Sequence, residues 1–143
     1  MKWIKWFGVF IAMTCFDEAW AQQCTVSAVA VNFGAYDPTA GNPGEATGSI
    51  SVMCTPATMS MVKFDPGRNS GGNFIPRKLY GEGNYLNYNL YTDPAGTRIW
   101  GDGAGNTFTQ PGGSNVTVYG RIPPLQKIKP GVYSDFVTLI VEW

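Results

Sequence analysis

The sequence has 143 residues, with ten basic and ten acidic side chains and no net charge. No basic block appears, which excludes the electrostatics of nucleic-acid or anionic-membrane binding. Histidine is absent, and with it go Ser-His-Asp and Cys-His nucleophilic sites and every His-ligated metal site.

The first residues read as a targeting segment. Lys2 and Lys5 form a positive n-region, Trp6 to Phe16 an apolar core, and Ala19-Trp20-Ala21 an A-x-A cleavage site. The apolar run is short of the roughly 20 residues that span a bilayer. Neither Thr14 before Cys15 nor Gln23 before Cys24 is the small residue a lipobox requires. Residues 1–21 are therefore expected to be a signal peptide and 22–143 a single domain, with no membrane span after cleavage. Eight basic residues (Lys63, Arg68, Arg77, Lys78, Arg98, Arg121, Lys127 and Lys129) then balance eight acidic ones. Loss of Cys15 leaves Cys24 and Cys54, an even pair in an exported chain, for which a disulfide is the default. Closing a loop of roughly 30 residues, such a bridge contributes about 3–4 kcal/mol in the chain-entropy model. A metal site or reactive thiol there lacks supporting ligands.

Cys24 to Val31 alternates as a first strand with Val26, Ala28 and Ala30 on one face. Asn32 to Pro38 breaks it, and Thr39 to Thr47 reads as a loop of Gly, Pro and small residues. Gly48 to Cys54 is a second strand with Ile50, Val52 and Cys54 sharing a face. Met59 to Asp65 is a third, setting Met59, Met61 and Lys63 against Ser60, Val62 and Phe64. Pro66 to Asn73 is a turn, and Phe74 to Gly83 takes no clear assignment. Tyr85 to Thr92 alternates Leu86, Tyr88 and Leu90 against Tyr85, Asn87, Asn89 and Tyr91. Asp93 to Gly96 is a tight turn, Thr97 to Trp100 a short strand back, and Gly101 to Asn106 a loop. Asn115 to Ile122 is a strand, and Pro123 to Pro130 a connector.

The closing stretch, Gly131 to Trp143, is β-branched and aromatic. Phe136, Thr138, Ile140 and Glu142 fall on one face, and Val137, Leu139, Val141 and Trp143 form an apolar row on the other. Nothing follows it in this sequence, so its far edge needs a partner from elsewhere in the chain or from another chain. No window repeats apolar residues at 3.6 with helix caps. Some seven short strands separated by glycine-rich turns predict an all-β sandwich.

Sites for chemistry are sparse, and nothing calls for a cofactor. With the cysteines paired, no thiolate remains. Two carboxylates would suffice for a glycosidase, and Asp93 and Asp102 flank the short strand. Asp93 precedes Pro-Ala-Gly and Asp102 lies between glycines, however, so both read as turn caps. Gly101 to Gly105 opens no helix and lacks a Gly-Lys-Ser/Thr ending, so it is no phosphate cradle. Asn115-Val116-Thr117 matches a glycosylation acceptor but lies in strand pattern, as a structural Asn. Most tyrosines and Trp100 are assigned to the core rather than to a sugar-binding face.

Four blocks carry a family likeness. They are Cys24-Thr25-Val26 with Asn32 to Pro38; Tyr88-Asn89-Leu90-Tyr91-Thr92-Asp93; Trp100-Gly101-Asp102-Gly103; and Tyr119-Gly120-Arg121-Ile122, Gln126 and Pro130 to Asp135 before the terminal strand. Over nearly the whole expected domain the chain resembles the spore coat protein U domain, a family similar to the subunits of archaic chaperone–usher pili. The resemblance implies an immunoglobulin-like sandwich lacking its last strand. A periplasmic chaperone, and then the donor segment of a neighbouring pilus subunit delivered at an outer-membrane usher, would fill the gap. It further implies a non-catalytic structural or adhesive subunit that passes through the periplasm to a cell-surface fibre for attachment and biofilm formation. Val137, Leu139, Val141 and Trp143 are the expected groove residues. The chain departs from the pattern in one respect: only Gln22 and Gln23 separate the expected cleavage site from Cys24, too few for a donor strand. Such a subunit would accept a strand without giving one, and so end a fibre at its tip or cap assembly. The alternative is a self-contained secreted coat or surface-binding module, its groove filled by its own chain.

Overall fold

Period-two apolar rows on short strands need a second apolar layer to bury against, and here two antiparallel sheets supply it to each other. The computed structural model describes residues 3–6, as backbone, and residues 22–143. Its strands are β1 (Trp3–Trp6), β2 (Gln23–Val29), β3 (Gly44–Thr55), β4 (Met61–Phe64), β5 (Arg77–Gly81), β6 (Asn84–Tyr91), β7 (Gln110–Pro111), β8 (Val116–Ile122) and β9 (Leu139–Glu142). One sheet has the order β1-β9-β4-β7 and the other β2-β3-β8-β6-β5. Among the described residues there is no helix. The fold is an all-β, immunoglobulin-like sandwich.

The inward rows are those the alternation predicts. Ile50 and Val52 of β3, Leu86, Tyr88 and Leu90 of β6, and Val118 and Ile122 of β8 come from one sheet; Val62 and Phe64 of β4 with Leu139 and Val141 of β9 come from the other. Each such side chain contributes about 1.5–3 kcal/mol on full burial. Trp100 lies between the layers without solvent exposure. Its indole N–H donates to the Val62 carbonyl at 3.0 Å, and its ring meets Phe64 edge-on at 4.9 Å. Cys24 and Cys54 face each other in the β2–β3 ladder and form a disulfide.

Several elements depart from expectation. β3 begins at Gly44, inside the stretch expected to be loop, because it finds β8 as a partner: Glu45 stands opposite Arg121, and the two form an ion pair at 2.7 Å. β2 ends at Val29, two residues early. Arg77–Gly81 is a strand paired along β6, and Gln110–Pro111 a short one on β4. Thr97–Trp100 makes only single bridges, Ile99 to Tyr91 and Trp100 to Phe108.

The largest departure is in the closing stretch, which is strand only from Leu139. Upstream, Ser134 exchanges both backbone hydrogen bonds with Tyr80 of β5, at 2.9 and 3.0 Å. The chain thus touches the five-stranded sheet at Ser134 and joins the four-stranded one at Leu139, a crossing that no single ladder can follow. β9 itself lies between β4 and β1, with Trp3, Ile4, Lys5 and Trp6 opposite Glu142, Val141, Ile140 and Leu139. The expected signal peptide otherwise lies outside the described residues.

Candidate functional site: an open groove between the two sheets

An apolar groove of about 930 Å³ opens where the sandwich edges fail to meet. One wall is the chain leaving β2, from Ala28 to Tyr36; the other is the stretch from Ile128 to Leu139. The floor is the core itself, including Ile50, Leu86, Leu90, Val118 and Ile122. Among the described residues no backbone hydrogen bond joins the walls. Largely unpaired chain on both sides of this floor leaves a slot that a further extended segment would fit.

Each wall is held by specific contacts. Phe33 stands edge-on to Tyr88, their ring centroids 6.1 Å apart. Behind it Gly120 permits the approach: a Cβ there would lie 2.7 Å from both Phe33 and Val31. At the wall's end the Tyr36 hydroxyl donates to the Pro123 carbonyl at 2.8 Å and accepts from the Gln126 N–H at 3.1 Å. Gln126 then substitutes for a strand. β8 pairs with β6 only along Asn89–Tyr91, and at Asn87 the Gln126 side chain takes over: Oε1 accepts from the Asn87 N–H at 2.8 Å and Nε2 donates to the Asn87 carbonyl at 2.9 Å. This fixes the connector that leads into the second wall.

The second wall turns on Asp135. Its carboxylate accepts from the Tyr88 hydroxyl at 2.6 Å, from the Arg68 and Phe136 N–H groups at 3.0 and 2.9 Å, and from Asn69 Nδ2 at 3.1 Å. Burial raises the Asp135 carboxyl above its ordinary value, the hydrogen bonds opposing it. Burial likewise pushes the Tyr88 phenol up, reinforced by the Asp135 charge. Both groups sit in the groove lining, where they form a polar corner beside the apolar floor.

Beneath that corner lies Arg77, with no solvent exposure. Nε and Nη2 donate to the Asp65 carbonyl at 3.1 and 2.8 Å, Nη1 to Asn89 Oδ1 at 2.8 Å, and Nη2 to the Trp100 carbonyl at 2.7 Å. Burial pulls its guanidinium down to about 10. The Asp65 side chain in turn accepts from the Thr138 N–H at 2.8 Å. The polar cluster therefore ties β4, β5, β6 and the closing stretch to one another.

Of the residues expected in the groove, Val137 and Leu139 line it. Val141 is buried, its backbone in register with Val62 of β4 on one side and Ile4 of β1 on the other, and Trp143 packs on the core with its indole N–H buried and unpartnered among the described residues. The Ala28–Tyr36 wall, Gln126, Asp135 and Arg77 were not singled out from sequence as groove-forming, although Tyr36, Gln126 and Asp135 fall in the blocks that carry the family likeness. The carboxylates near the short strand are turn caps. Asp93 accepts from the Thr97 and Arg98 N–H groups at 3.0 and 2.9 Å, and Asp102 from the Ala104 N–H at 2.8 Å. Among the described residues no cluster of His, Cys, Asp and Glu could hold a metal, and no helix is long and apolar enough to cross a membrane.

The spore coat protein U domain family is matched over residues 11–140. The chain belongs to that family. Among solved structures, this U domain is similar to a chain of the crystal structure of the CsuC–CsuE chaperone–tip adhesion subunit pre-assembly complex, from the archaic chaperone–usher Csu pili of Acinetobacter baumannii. The likeness has a TM-score of 0.57 at 21% identity and covers 86% of this chain and 40% of that one, so the U domain spans about two fifths of its neighbour. A comparison with curated proteins gives no match.

Proposed function

We propose that this U domain is a non-catalytic structural or adhesive subunit of a chaperone–usher surface fibre, completed by a strand from another chain. One observation carries the reading: an open apolar groove, floored by the core, between two walls that share no backbone hydrogen bond among the described residues. Family membership supports it, as does a fold shared with a chain of a chaperone–subunit complex. In this reading residues 1–21 are removed on export. A periplasmic chaperone then fills the groove, and at the outer-membrane usher the donor segment of a neighbouring subunit replaces it. Val137 and Leu139 contact the incoming strand directly, while Val141 and Trp143 carry the β9 edge beside it. Removal of residues 1–21 would leave only Gln22 and Gln23 ahead of Cys24, so that in this reading the subunit accepts a strand without donating one and sits at a fibre tip or terminus, serving attachment and biofilm formation.

Periplasmic expression with and without the cognate chaperone tests this. A subunit with an open groove is degraded or aggregates alone and survives as a one-to-one chaperone complex. A stable, cooperatively unfolding monomer obtained without chaperone would refute the reading.

A second reading has its own observation. The β9 edge is covered by Trp3–Trp6 of the same chain, as a self-contained secreted coat or surface-binding module would require. The same expression experiment separates the two.

A further inference from the structure

The strand on the β9 edge comes from the segment expected to be removed. Trp3, Ile4, Lys5 and Trp6 run antiparallel to β9, opposite Glu142, Val141, Ile140 and Leu139. This register sets Ile4 and Trp6 opposite the two core residues of β9, and Lys5 opposite Ile140 on the other face. The pairing is contiguous with the groove, because Leu139 is both the partner of Trp6 and part of the groove wall. A strand seated from another chain along Val137 and on along β9 would meet, from Leu139 onward, the edge that β1 already pairs with. An edge has one row of donors and acceptors, so the two strands exclude each other.

We propose that the N-terminal segment is a removable cis strand: while it remains attached it occupies the β9 edge and blocks strand addition, and its removal opens the acceptor. This rests on the strand-acceptor reading above, and it makes processing the step that licenses assembly. Tethering gives the cis strand an advantage in effective concentration over any free strand, which a cut removes at once.

The test uses the full chain with its disulfide formed, and a synthetic peptide of residues 1–12 as the free strand. Ile4→Pro takes an N–H from the middle of the β1 ladder. Peptide binding, followed by fluorescence anisotropy, is expected to be about tenfold or more tighter for Ile4→Pro than for the unaltered chain. Amides of Leu139–Glu142 should exchange faster in the variant. A second form, Lys5→Cys with Ile140→Cys, joins two residues opposite in register. Oxidised, it should bind no peptide; reduced, it should behave as the unaltered chain, which keeps the test decisive if Ile4→Pro does not fold. Equal binding by the unaltered chain and Ile4→Pro, or binding by the oxidised lock, overturns the cis strand alone. Binding by no form, Ile4→Pro included, overturns it together with the strand-acceptor reading.

Discussion

Replacing Arg77 by methionine should destabilise the domain more than any surface change, and the structure sets the size of the effect. Met keeps most of the buried stem but removes every donor. The Asp65 carbonyl, which accepts two of the bonds, and the Trp100 carbonyl then lose their partners beside a side chain without solvent exposure, while Asn89 Oδ1 keeps the Leu90 N–H. A buried acceptor left unsatisfied costs about 1–3 kcal/mol, so two amount to about 2–6 kcal/mol. Relief of the guanidinium's own desolvation, which holds it down to about 10, offsets part of this. A net loss of about 2–4 kcal/mol follows, a large share of the 5–15 kcal/mol typical of a folded domain. The assay is equilibrium urea unfolding of the disulfide-intact full chain by tryptophan fluorescence. With a slope of about 1–3 kcal/mol per M, the midpoint should fall by roughly 2 M at constant slope. Arg77→Lys keeps the charge but cannot reach three acceptors from one ammonium, and should lie between. A loss below about 1 kcal/mol for Arg77→Met, or an Arg77→Lys chain as stable as the unaltered one, would refute the reasoning.

Three further outcomes are expected. Burial raises the Asp135 carboxyl, so the folded chain holds that proton more firmly than the unfolded one; its contribution to stability is fully present below the unfolded value of 3.8 and is lost as pH rises through the raised value. Asp135→Asn should remove that slope, so the stability of the unaltered chain relative to the variant declines with pH across this window in urea titrations. Gln126→Ala strips the Asn87 N–H and carbonyl of their partners and should destabilise by about 1–3 kcal/mol, with faster hydrogen exchange at Asn87. A Cβ at Gly81 would overlap the Val132 carbonyl, so Gly81→Ala should separate Tyr80 from Ser134, cost about 1–3 kcal/mol and expose the Ser134 amide to exchange.

The all-β class and most inward rows could be read from the sequence because period two is a local property: Val62 with Phe64, and Leu86 with Tyr88 and Leu90, need no knowledge of their partners. The Cys24–Cys54 pairing followed from counting. What could not be read depends on distant partners. Gly44–Thr47 looks like loop by composition and becomes strand only because β8 lies alongside. Arg77 looks like a surface residue; its burial is supported by carbonyls of Asp65 and Trp100, 12 and 23 positions away. The closing stretch keeps its alternation on paper across a point where the backbone changes sheets, since Ser134 bonds to Tyr80 and Leu139 stands opposite Phe64 of β4. The groove was half visible. Its second wall holds Val137 and Leu139, as expected, but its first wall runs on from the end of β2 through Asn32 to Tyr36, where alternation carries no signal.

The passage of the closing stretch from one sheet to the other sets where mechanical load would travel. A segment seated along Val137 and Leu139 and pulled along its length loads this stretch in shear, and the stretch is anchored to β5 through Ser134 and to β4 through Thr138 and β9. Tension at one seam is thus divided between both layers. On the opposite wall, peeling of β2 from β3 would start at the groove end, near Val29, and reach a covalent stop at Cys24–Cys54. Under traction, the domain would open its groove before it lost its sandwich.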